Sequence, residues 1–325
     1  MEYCQPELLR KEMNRAGAAR RPFLFAVNFE MTKGLFVLDP DQQNQVFYRA
    51  HDLSNKKENS FQPQAVTLKT KPLSLDEYAL KFQTVMAGLN RGDSYLVNLT
   101  VATPIECSLS LSEIFAASSS PYQLYVPNEF VCFSPERFVL LKEGLISTCP
   151  MKGTINAAIP NAKKVILADE KESAEHATIV DLLRNDLSLS AKEVRVKRYR
   201  YVELIETRQR SILQVSSEIV GLLPEGYFSH LGDIVFRTLP CGSCSGAPKE
   251  STLDIIQKAE KEPRGFYTGV FGVFDGEVLD SAVLIRFIER TPQGLAFRSG
   301  GGITAYSDLK SEYQEALDKI YLPFV

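Results

Sequence analysis

The sequence predicts an α+β protein in which large antiparallel β-sheets pack together with helices outside them. Several strand-like runs are adjacent and joined by short turns, such as Asp275-Gly276 and the segment 292–294, and this favours antiparallel pairing over β-α-β crossovers. Helical runs lie between these strands, which is typical of the α+β class. The chain has 325 residues, of which 44% are apolar and 24% charged, so it can bury a large core as an ordinary globular protein.

The N-terminal segment 1–21 is predicted to contain a short amphipathic helix that ends near Gly17. Strands are expected at 23–28 and 34–38. The polar stretch 51–60 is the best candidate for a loop or a boundary.

A second helix is predicted to begin after Ser74, with Asp76 and Glu77 in its first turn and Arg91-Gly92 at its end. The remaining elements follow from the same kinds of pattern. Strands are expected at 95–103, 130–133, 138–141, 213–222, 266–274, 282–289 and 294–298, and helices at 171–187, 249–261 and 309–321.

The charge balance argues against nucleic acid as a partner, because a net charge of −3 leaves no basic excess to neutralise phosphates. The densest basic run, 192–200, alternates with apolar residues and predicts a β-strand with one solvated face; a protein-docking surface is the alternative. No apolar stretch approaches the roughly 18 residues needed to cross a membrane. Segment 1–21 contains acidic residues and no apolar core, so it is not a secretory signal, and a cytoplasmic protein is expected.

The cysteines support the same location, because the 6 of them are scattered without a disulfide-like framework. Cys241 and Cys244 form a CxxC motif that needs separate consideration. A zinc site would require two further ligands, and the three histidines do not have metal-ligand spacing to this motif. A thioredoxin-type site would require a small βαβ context, which is lacking. Two small residues in a glycine-rich turn are the favoured interpretation.

The segment PMKGT (150–154) draws attention to Lys152, because it predicts a tight, exposed bend in which a lysine does not cover a helix face. A lysine held away from bulk water can lose its proton and act as a nucleophile, although most surface lysines are only solvated. Glu136, in SPERF (134–138), lies sixteen residues earlier and is a candidate general acid.

Two predicted helices each carry a Glu-x-x-Glu pair, Glu172 with Glu175 and Glu312 with Glu315. Residues three apart share a helix face, so each pair presents two carboxylates in one direction. Four carboxylates on facing helices would repel one another unless a cation lay between them, and Mg²⁺ suits such oxygen ligands. Solvated helix surface is the alternative for either pair alone.

Two glycine clusters are candidate ligand-binding segments. The first, GSCSGAPK (242–249), leads into a helix with proline in its first turn, where free N–H groups can bind carboxylates or phosphates. The second, 300–302, follows a strand and allows the backbone to approach a ligand closely. Neither matches the P-loop or the dinucleotide fingerprint, so no nucleotide is assigned.

Three charged or titratable side chains complete the candidates. Arg286 lies in the apolar run 284–286 and therefore needs an anion, either a protein carboxylate or one on the substrate. Lys319 lies one helical turn beyond Glu315 and can reach the same site. His176 either orients the adjacent Glu175 or is a hydrogen-bonded structural histidine.

Taken together, these motifs resemble those of the chorismate-utilising enzymes, the family that includes anthranilate synthase component I and the isochorismate, salicylate and aminodeoxychorismate synthases. The matching blocks occur in family order over roughly residues 90 to 320. They are GDSYLVNLT (92–100), SPERF (134–138), PMKGT (150–154), KESAEHATIVDLLRND (171–186), GSCSGAPK (242–249), RGFYTGVFG (264–272), IR (285–286), GGGI (300–303) and SEYQEALDK (311–319). The resemblance implies an active site in a cleft between two large antiparallel sheets. It also implies one catalytic domain over 1–325, with a reduced N-terminal region over 1–70 and the core over 71–325.

The resemblance implies roles for individual residues, carried over by their positions in the motifs. Glu175 and Glu315 would bind Mg²⁺ directly, with Glu172 and Glu312 close behind. Glu136 would protonate the departing ring hydroxyl. The substrate would be held by the side chains of Arg286, Tyr267 and Lys319, by the hydroxyls of Thr154 and Ser245, and by the backbone of Gly153, Gly246 and Gly302.

Lys152 distinguishes among the members of this family. The segment 150–154 resembles the PIKGT turn of the aminodeoxychorismate-forming members, whereas anthranilate synthases carry alanine at the lysine position. The resemblance implies that Lys152 attacks the chorismate ring while the C4 hydroxyl leaves with help from Glu136. Ammonia then attacks C4 and expels the lysine, giving 4-amino-4-deoxychorismate for p-aminobenzoate and folate synthesis.

Three positions depart from the family pattern. Leu96 stands where water-using members carry a lysine base, which argues against isochorismate and salicylate synthesis, but it also differs from the glutamine common in amine-using members. Gln214 stands where many relatives carry histidine, and it cannot carry a proton. Cys241 replaces a common glycine.

Two other functions remain open at this stage. Anthranilate synthase component I is disfavoured by Lys152, and a non-catalytic chorismate-binding subunit is motivated by Leu96 and Gln214. The ammonia is expected from a glutamine amidotransferase subunit, because the sequence shows no nucleophilic Cys-His-Glu arrangement of its own.

Overall fold

The computed structural model of the protein describes residues 2–57, 61, 63, 65–206 and 211–324. The helices are α1 (Pro6–Ala18), α2 (Leu75–Arg91), α3 (Leu111–Ala117), α4 (Ala162–Ala168), α5 (Glu170–Ser188), α6 (Leu231–Arg237), the single turn α7 (Gly242–Ser245), α8 (Lys249–Glu260) and α9 (Leu309–Asp318). The strands are β1 (Phe23–Val27), β2 (Gly34–Leu38), β3 (Phe47–Ala50), β4 (Leu53–Ser54), β5 (Leu68–Thr70), β6 (Leu96–Cys107), β7 (Tyr122–Val126), β8 (Phe130–Ser134), β9 (Arg137–Lys142), β10 (Leu145–Thr148), β11 (Met151–Asn156), β12 (Lys192–Glu206), β13 (Ser211–Leu222), β14 (Gly246–Ala247), β15 (Val270–Phe274), β16 (Leu279–Val283), β17 (Phe287–Thr291) and β18 (Gly294–Ile303).

The described strands form two sheets of nine strands each. Sheet 1 has the order β11-β13-β10-β9-β16-β15-β1-β2, with β12 also paired to β13. Sheet 2 has the order β14-β6-β18-β17-β8-β7-β3-β4, with β5 also paired to β6. The strands pair antiparallel in both sheets, which confirms the predicted α+β class.

The two sheets pack face to face, and strand β1 shows how the sequence allows this. Its residues alternate between two apolar clusters: Phe23 and Phe25 point to a cluster shared with α1 and α6, whereas Leu24 and Ala26 point to the other sheet. Because successive side chains of a strand point to opposite faces, a continuous apolar run is buried on both sides. The cluster between the sheets contains Tyr122, Leu124, Phe271 and Phe287, among others.

Helices cover the outer faces of both sheets, as the sequence predicts. Residues of α1, α5 and α6 pack on sheet 1 in the first cluster. Residues of α2, α8 and α9 pack on sheet 2, and α3 forms a further cluster with it. The N-terminal region contributes to both layers, because β1 and β2 belong to sheet 1 while β3 and β4 belong to sheet 2.

Helix α2 begins and ends where the sequence predicts. The Ser74 side chain accepts from the backbone N–H of Glu77, and the Glu77 carboxylate accepts from the Ser74 N–H, which forms a capping box. Gly92 closes the helix with φ of 81°, a left-handed conformation that favours glycine. Among the described residues, no helix is long and apolar enough to cross a membrane. The predicted loop 51–60 includes the short strand β4, and its last three residues lie outside the described part of the chain.

Four predictions about local structure differ from the structure, and each concerns a segment that contributes to the site. Lys152 lies within strand β11 and not in an exposed bend. The predicted strand 282–289 is interrupted, because Arg286 has φ of 55° and separates β16 from β17. The cluster 300–302 was expected to follow a strand, but it lies within strand β18 and pairs with β6. The predicted strand 266–274 begins only at Val270.

Candidate active site

A cavity of about 260 Å³ lies between the two sheets, where β11 and β13 of sheet 1 face β6 and β18 of sheet 2. Its lining includes Asn98, Glu136, Lys152, Gly153, Thr154, Gln214, Ser243, Cys244, Tyr267, Arg286, Gly300, Gly301, Gly302, Glu315 and Lys319. A larger surface cavity of about 640 Å³ lies beside α8, but none of the side chains predicted to act on a substrate or metal lines it. The smaller cavity therefore carries the candidate chemistry.

Lys152 extends from β11 across the gap between the sheets. Its Nζ lies 3.5 Å from Oε2 of Glu175 on α5. On the opposite side, Nζ would lie 3.5 Å from a Cβ added to Gly302 of β18. A register irregularity between Met151 and Thr154 accompanies this placement, and Gly153 takes φ of 82° within it. Only glycine adopts that conformation readily, so the Gly153 position is explained by the backbone itself.

The carboxylates around Lys152 act against the effect of burial on its charge. Burial lowers its pKa, but the carboxylates of Glu175, Glu315 and Glu172 outweigh burial, so the pKa of Lys152 lies above its ordinary value. The nucleophilic role of Lys152 stays a prediction.

Glu136 follows strand β8 in the Ser-Pro-Glu segment and points into the cavity. Burial raises the pKa of Glu136, while the hydrogen bond from Ser243 and the charges of Lys152, Arg286 and Lys319 lower it in part. The net direction is upward. A carboxyl group whose pKa is raised by burial is suited to general acid catalysis.

Ser243 is a neighbour of Glu136 that the sequence-based list of site residues omits. Its Oγ donates to Oε1 of Glu136 at 2.7 Å. It lies in α7, and the same hydroxyl is 3.2 Å from Sγ of Cys241 and 3.9 Å from Sγ of Cys244. Both thiols are buried. The Ser243 hydroxyl that bonds to Glu136 therefore lies close to both cysteines of the CxxC motif.

The carboxylate pair on α5 faces β11. A Cβ added to Gly153 would lie 3.2 Å from Oε2 of Glu172, so the glycine leaves room for that carboxylate. Burial raises the pKa of Glu172, and the carboxylates of Glu175 and Glu315 raise it further, while Lys152 lowers it. Carboxylates on α5 and α9 therefore lie close enough for one to raise the pKa of another.

The pair on α9 faces β18 in the same manner. A Cβ added to Gly301 would lie 3.2 Å from Oε1 of Glu315 and 3.5 Å from Oε2 of Glu312. Glu312 is buried and accepts a 2.7 Å hydrogen bond from Ser307. One glycine in each sheet therefore lies beneath one pair of glutamates.

The glutamates were predicted to hold Mg²⁺. Among residues 2–57, 61, 63, 65–206 and 211–324, no three His, Cys, Asp or Glu side chains come together as a ready-made metal-binding set. The donor chemistry nevertheless fits a hard divalent cation, because the carboxylates of Glu172, Glu175 and Glu315 act together on the single ammonium of Lys152. The assignment of Mg²⁺ stays a prediction.

Cationic and hydroxyl groups line the other walls of the cavity. Lys319 caps the C-terminus of α9, and its Nζ donates to the Gly300 carbonyl at 2.7 Å and to Oε1 of Glu315 at 2.6 Å. Tyr267 is buried, and burial together with the nearby Cys244 raises its pKa. Arg286 also lines the cavity, from the bend between β16 and β17.

Two predicted substrate contacts lie differently from the rest. Ser245 is fully buried, and its Oγ donates to the Cys241 carbonyl at 2.9 Å. Gly246 pairs with Val97 of β6, where an added Cβ would lie 1.8 Å from the Leu96 carbonyl oxygen. The cavity lining includes neither residue, whereas Thr154, Gly153 and Gly302 are part of it.

His176 is a structural histidine. It is buried, and its Nε2 lies 2.7 Å from Oγ of Ser217, which also accepts from the Arg200 N–H. Burial lowers the pKa of His176 to about 4, with further contributions from Arg200 and Lys152. The suggestion that it orients Glu175 is replaced by this contact with Ser217.

Two further residues line the cavity, although no role was predicted for either. One lies in a segment that matches the family, and the other is a position that departs from the family pattern. Asn98 of β6 lies opposite Gly302, and its Oδ1 is buried without a hydrogen-bond partner among the described residues. Gln214 of β13 lies opposite Thr154 of β11. Because strands β6 and β13 were predicted, alternation of faces along each strand is the signal that places these side chains.

Two packed antiparallel sheets with a cavity between them agree with the active-site cleft that the resemblance to chorismate-utilising enzymes implies. A family model described as chorismate binding enzyme matches residues 23–323. The chain belongs to the chorismate-binding enzyme family, which confirms the family resemblance seen in the sequence.

Three individual proteins show how far the similarity extends within this family. A protein of Haemophilus influenzae named "Uncharacterized PabA-like protein" is 47% identical over 316 residues, covering 96% of this chain and 95% of that protein. Aminodeoxychorismate synthase component 1 of Bacillus subtilis is 31% identical over 265 residues, covering 77% of this chain and 55% of that protein. The crystal structure of anthranilate synthase component I from Streptococcus pneumoniae aligns with a TM-score of 0.65 and 28% identity, covering 78% of this chain and 58% of that one. The chain thus spans little more than half the length of these last two proteins.

Proposed function

We propose that this protein converts chorismate and ammonia into 4-amino-4-deoxychorismate. The observation that carries the proposal is the placement of Lys152 in the cavity that also holds Glu136, a nucleophile and an acid available to one bound molecule. The similarity to aminodeoxychorismate synthase component 1 supports it, because 31% identity over 77% of the chain includes the region of both residues.

Glu136 is proposed to donate its proton to the C4 oxygen of chorismate as the C–O bond breaks, so that the hydroxyl leaves as water. Burial raises the pKa of Glu136, and this favours the protonated carboxyl that an acid needs. The hydrogen bond from Ser243 fixes which oxygen faces the substrate, because Oε1 is occupied.

Lys152 is proposed to form a bond between Nζ and the ring as the C4 oxygen departs. Ammonia then forms its bond to C4 while the bond between the ring and Nζ breaks, which returns the lysine. The overall balance is chorismate and ammonia to 4-amino-4-deoxychorismate and water. Attack requires the neutral amine; the proton that Nζ loses on bonding to the ring restores the acid form of Glu136, and a proton from ammonia restores the amine when that bond breaks.

Substrate carboxylates are proposed to meet the cationic wall of the cavity. Arg286 and Lys319 supply positive charge, and Tyr267 and Thr154 supply hydroxyl donors. The backbone of Gly153 and Gly302 can approach the ligand closely because neither residue has a side chain there.

The glutamates Glu172, Glu175, Glu312 and Glu315 are proposed to hold Mg²⁺. When bound, the ion would anchor and polarise a substrate carboxylate and offset the negative charge that now surrounds the lysine. Gly153 and Gly301 leave room for Glu172, Glu312 and Glu315, because an added Cβ would lie 3.2 to 3.5 Å from their carboxylate oxygens.

Ammonia is proposed to come from a glutamine amidotransferase subunit. Glutamine in place of ammonium would then support turnover only when such a subunit is present. Turnover of glutamine by the purified chain alone would contradict the need for this partner.

The test is the identity of the product made from chorismate, Mg²⁺ and an ammonium salt at mildly alkaline pH, by mass spectrometry and optical spectra. We expect aminodeoxychorismate from the native chain and from Lys163→Ala, a matched control at an exposed lysine of α4. Lys152→Ala should lose at least about a hundredfold in rate while still binding chorismate.

Other outcomes would assign the chain elsewhere. Anthranilate as the product would make it an anthranilate synthase component and remove the argument from Lys152. Chorismate binding without turnover, in the presence of Mg²⁺ and ammonium, would support a non-catalytic binding subunit.

A further inference from the structure

We propose that Tyr321 is a positioning residue that orients the Arg286 guanidinium toward the substrate carboxylate. This inference rests on the proposed function, since it concerns how chorismate is held in the same cavity. Tyr321 lies outside the cavity lining, and it reaches the substrate only through Arg286.

The backbone of Arg286 is fixed before its side chain is considered. The residue lies in the bend between β16 and β17 with φ of 55°, and its carbonyl accepts from the Phe133 N–H at 3.0 Å. The thiol of Cys132 donates to the neighbouring Ile285 carbonyl at 3.2 Å. Both contacts tie the bend to strand β8, so the side chain starts from a defined point.

The Arg286 guanidinium contacts Tyr321, a neutral residue, so the positive charge of Arg286 stays available for a substrate carboxylate. Nε of Arg286 donates to the Tyr321 hydroxyl at 3.0 Å, and the guanidinium carbon lies 5.3 Å from the centre of the tyrosine ring. Within the described part of the chain, no carboxylate lies within ion-pair distance of Arg286. A neutral acceptor on Nε leaves the two terminal nitrogens of the planar group for a carboxylate.

Residues before and after Tyr321 in the sequence are fixed by their own contacts, and this limits where Tyr321 can lie. Two residues before it, Lys319 ends α9 and is bonded through Nζ to the Gly300 carbonyl. One residue after it, Leu322 is buried in an apolar cluster with sheet 2. The segment after α9 therefore delivers Lys319 directly to the cavity and Tyr321 to the outer side of Arg286.

The test is an equilibrium titration with chorismate and Mg²⁺ in the Lys152→Ala background, where the chain binds chorismate without forming an adduct, followed by steady-state kinetics with ammonium in the native background. Tyr321→Phe keeps the ring and removes only the hydroxyl. Tyr306→Phe is the matched control, because Tyr306 is 90% exposed before α9 and far from any proposed role. We expect Tyr321→Phe to raise the Kd and KM for chorismate about threefold to tenfold, with kcat within about twofold of the native value.

A double-variant cycle separates positioning of Arg286 from a general structural effect. Arg286→Lys removes the planar fork and its Nε, so adding Tyr321→Phe in that background should change the Kd by less than about 1.5-fold. Thermal unfolding of each variant gives an independent check that the fold is retained.

Two results would overturn the inference while leaving the proposed function intact. One is an unchanged Kd for Tyr321→Phe in the Lys152→Ala background when that background binds chorismate. The other is an undiminished effect of Tyr321→Phe in the Arg286→Lys background. Failure of the native chain to bind chorismate would instead overturn the proposed function, and this inference with it.

Discussion

Ser243 donates a 2.7 Å hydrogen bond to Oε1 of Glu136 and so links the turn α7 to the segment between β8 and β9. The bond lowers the pKa of Glu136 while burial raises it, and burial has the larger effect. The hydrogen bond from Ser243 therefore has two consequences. It fixes the orientation of the Glu136 carboxyl, and it limits the rise in the pKa of Glu136.

Ser243→Ala should shift the pH dependence of turnover. Without the hydrogen bond, the pKa of Glu136 rises further, so the acid stays protonated to higher pH and the alkaline limb of kcat/KM moves upward. The plateau rate should fall about threefold to tenfold because the acid is no longer oriented. Ser229→Ala, at an exposed serine whose hydroxyl donates to the Gly226 carbonyl, is the control. Superimposable pH profiles for Ser243→Ala and the native chain would refute the role of the bond.

Product formation should depend on Mg²⁺ through the glutamates of α5 and α9. Glu172→Gln and Glu315→Gln should each raise the Mg²⁺ concentration needed for half-maximal rate by roughly tenfold or more, because each removes a charged oxygen donor. Glu250→Gln, at an exposed glutamate of α8, should behave like the native chain. Calorimetric titration with Mg²⁺ measures the same affinity without turnover. Undiminished rates in excess chelator would argue against a metal at this site.

Gly302→Ala tests how closely strand β18 approaches the lysine. The added Cβ would lie 3.1 Å from Cδ1 of Leu96, which must give way by a few tenths of an ångström, and it would fill the space beside Nζ of Lys152 at van der Waals distance, 3.5 Å. We expect kcat/KM for chorismate to fall by about tenfold, because a small displacement of a reacting group is costly. The thermal midpoint should change little, since the strand register is kept. Native kinetics for this variant would mean that the gap between β18 and Lys152 is wider than the structure places it.

His176 should make the protein less stable in mild acid. Its pKa is lowered from 6.5 to about 4 in the folded chain, so below pH 6.5 the unfolded chain takes up a proton that the folded chain does not. The free energy of unfolding should therefore fall by about 2 kcal/mol from this residue between pH 7.5 and pH 5. Urea unfolding at both pH values measures it.

The variant His176→Gln isolates this effect, because glutamine does not titrate and can still bond to Ser217. The drop in stability between the two pH values should shrink by about 2 kcal/mol in His176→Gln. His230→Gln, at an exposed histidine, is the control. An equal drop in His176→Gln and the native chain would show that other groups account for the acid sensitivity.

Much of the fold could be predicted from local patterns. Strands β1 and β2 and helix α2 lie close to their predicted bounds, because apolar runs, a capping box and a terminal glycine act within a few residues. The interruption at Arg286 could not be read in this way, since its left-handed backbone depends on contacts with strand β8. The same applies to residues 300–302, where pairing with β6 keeps a glycine run in a strand.

Some residues of the candidate site could be predicted from the sequence and others could not, because local patterns do not report tertiary contacts. Motif positions identified Glu136 and Lys152, and the structure brings both to one cavity. Ser243 was missed because its contact with Glu136 joins residues 107 positions apart. The upward direction of the Lys152 pKa was not foreseen, because burial was considered without the carboxylates that surround the lysine. Pairwise electrostatics of this kind depends on tertiary packing and not on the local sequence.

The measurement that tests the account most directly is mass spectrometry of the chain after incubation with chorismate and Mg²⁺ in the absence of ammonia. The account predicts an adduct equal to one chorismate less one water, located on the peptide that contains Lys152 and lost when ammonium is added. Lys163→Ala should form the same adduct and Lys152→Ala should not. Formation of aminodeoxychorismate without any adduct, at an undiminished rate in Lys152→Ala, would contradict the central claim.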